Sequence, residues 1–498
     1  MSVVEWSVLG IHYAFLAVLC IYGWHRLALS VTAITRYDPP KAAKTAGFYP
    51  IVTVQVPLYN ERFVAERAIA AAAALRWPQD RLEIQILDDS TDETVEIVGR
   101  CVTNLRAQGL DIHHVRRVDR RGFKAGALAD AMKAAKGDFI AIFDADFTPH
   151  PDFLEKVMPH FADPAIGMVQ TRWGHLNRNA SILTRIQAVL LDAHFAVEQA
   201  ARSAMGAFFN FNGTGGVWRR QAIAEAGGWQ ADTLTEDLDL SYRAQLAGWR
   251  FLYLRDVDCP GELPGDMNAF KSQQHRWSKG AIEVMQKLLG RIWSSRLQFT
   301  QKAEAVLHLT SNLSYMFLVI SSVFLLTPSI AIRKAHQLAG IWWVDLPIFV
   351  LATFSHVIFF VVGQFILRSE TLKAQAALLP ALMAASVGIA FNNGRAVLEA
   401  LVGYKTGFVR TPKTGQGLKS DAPRRGTIAP AAKTSYRAAM SVWGERVEIG
   451  LAFGYLALSI WTAALGLWSV APFMVLFAAG FGYAGFSSWR SRARFAAA

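Results

Sequence analysis

Cysteine is scarce in this chain: Cys20, Cys101 and Cys259 are the only three in 498 residues. Their spacing suits neither a disulfide framework nor a cysteine-ligated metal, and so few scattered thiols fit a reducing compartment. Charge is thin as well, at 18% Asp, Glu, Lys and Arg against 52% hydrophobic residues. That balance excludes a chain too polar to fold. Acidic residues are the rarer sign, 39 against 51 Lys and Arg, for a formal net charge of +12. No zinc-finger or ribonucleoprotein motif accompanies the basic excess, so nucleic acid is not the expected partner. Much of the excess is local: residues 405–437 hold eight Lys and Arg against Asp421 alone, a charge of +7. A basic loop between apolar helices marks a cytoplasmic membrane face or a site for an anionic small substrate.

The apolar surplus (mean hydropathy +0.23) collects at the N-terminus and beyond about residue 310. Residues 6–33 are too long for a signal-peptide core and lack a small-residue cleavage site, which predicts a retained transmembrane helix within 1–33. Residues 34–49, with Pro39 and Pro40, read as a linker. Further apolar segments run over 315–332, 342–367, 374–390, 449–468 and 471–485. If the large insert and the basic loop both face the cytoplasm, the chain between them crosses an even number of times. The segment 374–390 is Ala-rich, holds Pro380 and ends near Asn392, Asn393 and Arg395. It is therefore assigned to the interface, within 369–404. Five spans are expected: one in 1–33, two in 310–368 and two in 438–490. That arrangement leaves a tail at 491–498 and puts Arg490, Arg492 and Arg494 inside, as the positive-inside rule requires.

Between 50 and 265 the pattern changes to short β-branched runs alternating with amphipathic helices. Strands are predicted over 50–56, 83–87 and 139–143, with helices over 62–76, over 93–108 and from Pro151. Such alternation predicts an α/β domain with a mostly parallel sheet, whose ligands bind beyond the carboxyl ends of the strands. Segments 182–205 and 267–290 are amphipathic, and either pack on the sheet or lie along a bilayer surface. The second belongs to an interfacial stretch over 266–309.

Several motifs fall at those strand ends, each with a plain structural alternative. Asp144-Ala145-Asp146 offers two carboxylates that can converge on one hard divalent cation, or it is a solvated turn. Asp88-Asp89-Ser90 can accept hydrogen bonds from a base or ribose, or cap the following helix. Tyr59 and Glu61 can stack on a base and take its donor edge, or form a helix-entry turn. Thr235-Glu236-Asp237 suits an N-cap and an acidic first turn; functionally, Asp237 would be a general base. In Gln273-Gln274-His275-Arg276-Trp277, Arg276 can neutralise a diphosphate and Trp277 can stack on a sugar, or the helix simply carries an interfacial Trp. Residues 408–413 are a flexible linker, or a loop that folds over phosphates with Thr411, Lys413 and Arg410.

In order along the chain, PLYNE (57–61), DDS (88–90), RRGFKAGAL (120–128), DAD (144–146), FNGTGG (211–216), TED (235–237), QQHRW (273–277) and FVRTPK (408–413) resemble the processive membrane glycosyltransferases of family 2. These include cellulose, chitin and hyaluronan synthases. The stretches LRWPQDRLEIQILDDSTDET, FNGTGGVWRRQAIAEAGGW and QQHRWSKG are most similar to cellulose-synthase-like glucan and mannan synthases of the glucomannan 4-β-mannosyltransferase type.

The resemblance implies an α/β GT-A nucleotide-sugar domain inserted in an α-helical transmembrane bundle, an inverting single displacement, and Mg²⁺ or Mn²⁺. It assigns Tyr59 and Glu61 to the base, Asp89 and Lys124 to the nucleotide, and Asp144 and Asp146 to the metal on the diphosphate. Asp237, with Glu236 beside it, is the catalytic carboxylate. Gln273, Arg276 and Trp277 bind the diphosphate and acceptor sugar, Asn212 and Gly213 the acceptor, and Thr411 and Lys413 belong to a gating loop. Phe147 departs from the cellulose synthases, which carry a His ligand there, and Asn212-Gly213-Thr214 replaces their Cys-Gly-Ser. The implied activity is polymerisation of a β-glucan or β-mannan from UDP-glucose or GDP-mannose, coupled to export. The partners are then the donor, the growing glycan and membrane lipids, and the catalytic domain faces the cytoplasm from the cytoplasmic membrane. Addition of one sugar to ceramide, diacylglycerol or a polyprenol is the alternative. A transporter with a nucleotide-binding domain is more remote, because no intramembrane carboxylate cluster or duplicated half is evident.

Overall fold

The computed structural model describes residues 1–41, 47–338, 342–368, 372–405, 415, 442–468 and 470–497. Helix α1 (Val3–Thr35) starts under a reciprocal cap between Ser2 and Glu5. It turns Trp6, Ile11, Ile21, Trp24 and Val31 outward, so it lacks the polar outer face of a helix that meets water.

Among the described residues seven strands follow: β1 (Val52–Leu58), β2 (Leu82–Asp88), β3 (Asp111–Arg116), β4 (Phe139–Ile142), β5 (Ile166–His175), β6 (Gly216–Arg219) and β7 (Arg250–Gly261). They form one sheet in the order β3-β2-β1-β4-β6-β5-β7. Strand β1 runs parallel to β2 and β4, β2 to β3, and β5 to β7. Only β6 is reversed against its neighbours. The mostly parallel expectation therefore stands, with one antiparallel insertion.

Helices α2 (Ala65–Ala73), α3 (Thr94–Ala107), α4 (Phe123–Ala131) and α5 (Phe153–Val157) follow the first strands. They cover both faces, which is why β4 is apolar throughout and why even Thr53 and Gln55 of β1 are buried. In β4, Phe139 and Ala141 join the core under α2, α3 and α5, while Ile140 and Ile142 join the one under α4. Strand β1 extends to Leu58, beyond the expected end, because Pro57 and Leu58 still pair with Leu87 and Asp88. The helix expected over 62–76 is shorter. Asn60 turns the chain at φ 54°, and its N–H is taken by Ser90 Oγ at 2.8 Å.

Helix α6 (Ile182–Ala193) runs through a π-helical turn, His194–Gln199, into α7 (Ala200–Ala204). After α8 (Arg220–Glu225) and α9 (Glu236–Leu246) comes the long α10 (Met267–Ser294), whose N-cap Asp266 accepts from the N–H groups of Asn268 and Ala269. Helix α11 (Phe299–Thr310) leads to the remaining apolar helices.

Among the described residues six helices are long and apolar enough to cross a membrane: Val3–Thr35, Leu313–Ala335, Trp343–Leu367, Ala376–Leu401, Val442–Ala464 and Ala471–Ala493. Five were expected. The sixth, Ala376–Leu401, is the segment that the even-crossing argument places at the interface, and it is the most enclosed of the six. Pro380 lies within it without ending the helix. Its second half packs on α10, where Glu399 pairs with Lys279 at 3.6 Å and the His275 ring lies 3.1 Å from the same carboxylate. Lys271 of α10 pairs with Glu448 and donates to Ser488 Oγ. Buried ion pairs thus fasten α10 to the apolar helices, and a buried charge left without its partner would be strongly destabilising.

Candidate active site

Because β6 is reversed, its first residue lies at the same sheet edge as the last residues of the parallel strands, with Gly216 opposite Ile142. A cleft of about 1320 Å³, counting its open mouth, lies along that edge. Tyr59, Glu61, Asp89, Lys124, Asp144, Asp146, Asn212, Gly213, Glu236, Asp237, Gln273, Arg276 and Trp277 all line it. Loops after β1, β2 and β4, the turn before β6, and the starts of α4, α9 and α10 supply them. Thr411, Lys413 and Arg410 lie outside the described residues.

The centre of the cleft is a cluster of charge. Lys124 Nζ donates to Asp144 Oδ1 at 2.5 Å and to the Gly213 carbonyl at 2.8 Å. The Asp144 N–H is held by Thr214 Oγ1 at 2.9 Å. Asp237 Oδ1 accepts from the Leu238 N–H at 2.8 Å, and its other oxygen faces Gly213, where a Cβ would come within 2.9 Å of it. Burial, and next the neighbouring Glu236, push the Asp237 carboxyl up to about 7 against the pull of Lys124. Burial pulls the Arg276 guanidinium down, opposed by Glu236, Asp144, Asp237 and Asp146. Lys124 is held above its usual range because Asp144 and Glu236 outweigh its burial.

Asp144, Asp146, Glu236 and Asp237 thus bring carboxylate oxygens together along one cleft, beside Lys124 and Arg276. Oxygen donors of this kind suit Mg²⁺ or Mn²⁺. Among the described residues no three ligand-type side chains are grouped around one point. Asp144 and Asp146 would therefore share the ion with oxygens of a bound ligand. Phe147 adds none: its ring packs on Gly261, where a Cβ would lie 2.6 Å away, and 5.0 Å from the Trp173 ring.

Thr235 takes the N-cap position of α9, but its hydroxyl makes no capping bond. Helix α10 decides this. A Cβ at Gly280 would lie 2.6 Å from the Thr235 side chain, so packing rather than capping sets its rotamer.

At the other end, Asp89 is gripped by Arg117, Nε at 3.0 Å and Nη2 at 2.5 Å. Arg120 lies over the Tyr59 ring, 3.3 Å from its centroid, a cation–π stack. Trp173 stands 6.3 Å from Trp277 and extends the aromatic wall expected of Trp277 alone. Glu262 pairs with Arg67 at 3.0 Å and accepts from the Gly415 N–H at 3.1 Å, so a described residue of the basic loop sits at the cleft wall. Sequence reasoning singled out neither Arg117, Trp173 nor Glu262. Their only signal was nearness to strand ends.

Comparison with known proteins agrees with this geometry. Residues 50–280 match the family described as glycosyltransferase like family 2. A probable glucomannan 4-beta-mannosyltransferase 9 of Oryza sativa subsp. japonica is 46% identical over 264 residues, 52% of this chain and 50% of that protein. The glucomannan 4-beta-mannosyltransferase 9 of Arabidopsis thaliana is 39% identical over 317 residues, 60% and 59% of the two chains. The chain thus spans about half the length of the curated relatives it matches. A solved mannosyltransferase from Pyrobaculum calidifontis, in complex with GDP-Man and Mn²⁺, shares the fold with a TM-score of 0.54 at 22% identity. That likeness covers 73% of this chain and all of that one. A GT-A-like sheet, a cleft at its topological switch and a family match over the same stretch have one reading: residues 50–280 are a glycosyltransferase domain of family 2, carried between helices of membrane-spanning length.

Proposed function

We propose that the chain transfers a hexose, mannose first of all, from a nucleotide sugar to the end of a growing β-linked glycan, with inversion at the anomeric carbon. The observation that carries this reading is one cleft holding Asp237, Arg276, Lys124 and the Asp144/Asp146 pair together. Tyr59, Glu61 and Asp89 receive the nucleoside. Arg276 and Lys124 lie where the departing diphosphate gathers charge, and preorganised cations stabilise such a leaving group. A divalent cation held by Asp144 and Asp146 would neutralise the same diphosphate. Asp237 takes the proton of the acceptor hydroxyl as it attacks, so that an α-linked donor gives a β-linkage. Trp277 and Trp173 offer flat faces to the sugar ring. Thr411 and Lys413 are assigned to a gate over the donor.

Mannose is favoured because the plant relatives are named for mannosyl transfer; GDP-mannose is the expected donor and UDP-glucose its competitor. The apolar helices supply the setting. A hydrophilic polymer cannot dissolve in hydrocarbon, so synthesis on the cytoplasmic face of the cytoplasmic membrane is coupled to export between the spans.

Incubating the purified full chain with radiolabelled GDP-mannose or UDP-glucose tests this. The expected product is ethanol-insoluble, derives from GDP-mannose and is released by mannanase. Label in a butanol-extractable lipid would replace polymerisation by single addition. Incorporation from UDP-glucose alone would overturn the choice of donor.

A further inference from the structure

The π-helical turn between α6 and α7 is the least expected piece of regular structure next to the cleft. Such turns are rare and concentrate at functional sites. In an α-helix, advancing 100° per residue, side chains five apart point about 140° away from each other. A π turn closes i to i+5 hydrogen bonds and brings such residues to the same side. Here residues i and i+5 of the turn are His194 and Gln199, and both grip one side chain. Gln199 Nε2 donates to Asn212 Oδ1 at 2.5 Å, and Asn212 Nδ2 lies 3.0 Å from His194 Nε2.

The other ring nitrogen, Nδ1, lies 2.8 Å from Glu198 Oε2. An amide nitrogen only donates and a carboxylate only accepts, so the neutral His194 ring carries its proton on Nδ1 and accepts at Nε2. Glu198 is paired with Arg202 at 3.5 Å, Arg202 with Glu304 at 2.9 Å, and Glu304 with His25 at 2.7 Å. His25 belongs to α1. A chain of polar and charged side chains in contact therefore runs from the cleft to the first apolar helix, with Arg202 only 2% exposed.

We infer that His194 and Gln199 are positioning residues that hold the Asn212 amide in register with the acceptor sugar, and that α1 anchors this clamp through Glu198, Arg202 and Glu304. Asn212 spends one N–H and one lone pair on the clamp. One of each remains for a sugar hydroxyl. Asn212 also precedes Gly213, the residue against Asp237, so a fixed amide places the acceptor beside the base. The inference rests on the acceptor role proposed above for Asn212.

His194→Leu and Gln199→Leu remove the bonds while keeping the bulk, and His194→Gln restores an acceptor toward Asn212. Kinetics of the full chain in nanodiscs, with GDP-mannose and added β-1,4-mannotetraose, read donor and acceptor separately. The leucine variants should raise the mannotetraose KM about tenfold or more and leave the GDP-mannose KM within about twofold; His194→Gln should recover most of the loss. Hydrogen exchange across residues 210–214 gives a second readout, independent of the product, and should quicken in both leucine variants at an unaltered Tm. Unchanged exchange there, or donor and acceptor KM rising together, overturns the clamp. A parent enzyme that ignores mannotetraose while the exchange result holds would instead overturn the acceptor reading, and the clamp would stand.

Discussion

Gly213 and Asp237 touch so closely that a Cβ on the glycine would sit 2.9 Å from the Asp237 Oδ2 oxygen. Gly213 also has φ +81°, where a side chain costs about 1–2 kcal/mol. Gly213→Ala should therefore keep its fold but lose turnover at least tenfold, a drop of about 1.4 kcal/mol in transition-state stabilisation. Single-turnover rates beside a melting curve would check this. A variant as fast as the parent would remove Gly213 from the site.

Asp237→Asn removes the proposed proton acceptor and keeps the shape. Turnover should fall by about 10²–10⁴ while the donor still binds. Stability should move the other way. The folded carboxyl titrates near 7, above its usual 3.8, so folding disfavours its ionised form and stability is lost as pH rises from about 4 to about 7. At pH 8 the Asn variant should melt no lower than the parent. A clear drop in Tm would mean that the carboxylate is a net structural asset.

The same displacement shapes the rate profile. Asp237 must be ionised to accept a proton, so kcat/KM should fall about tenfold per pH unit below about 7 and level off above it. Glu236, Asp144, Lys124 and Arg276 are the charged groups around it. Glu236→Gln removes the neighbour that, after burial, raises Asp237 most and should shift the acid limb to lower pH. An unmoved limb would assign it to another group.

Arg117, like Trp173 and Glu262, carries no motif of its own in the sequence. Its side chain and that of Asp89 are 10% and 7% exposed, and breaking a pair so enclosed costs about 3–5 kcal/mol. Arg117 also donates to the carbonyls of Arg121 and Phe123, tying down the loop that leads to Lys124. Arg117→Ala should lower Tm and raise the donor KM more than it lowers kcat. Equal damage to both, at parental Tm, would contradict that role.

Chelation of divalent cations should abolish transfer, and Mg²⁺ or Mn²⁺ should restore it. Asp146→Asn should raise the metal concentration needed for half-maximal rate. A chelated enzyme that still transfers would remove the cation from the proposal.

Much of the site was legible because it consists of short motifs directly after apolar strands. In a parallel sheet those strand ends share one edge whatever the intervening lengths, so Tyr59, Asp89 and Asp144 could be grouped before any coordinates. Arg117 could not. It meets Asp89 only because β3 pairs with β2, one residue past the register Asp88 to Arg116. The reversal of β6 was equally hidden, since four residues of strand carry no sign of direction. Helix Ala376–Leu401 exposes another gap: crossing parity weighs topology, whereas length and apolarity weigh the segment itself, and the two criteria divide on it.

The linear order of residues by itself determined the α/β insert, its apolar flanks and the chemical kind of each motif, because periodicity and local side-chain chemistry travel with the chain. Only the tertiary structure decided that Asp237 lies against Gly213, that Arg117 rather than solvent faces Asp89, and that a π turn brings His194 and Gln199 to one amide. Such relations depend on strand register, helix winding and burial, which exist only once distant segments pack and exclude water between them.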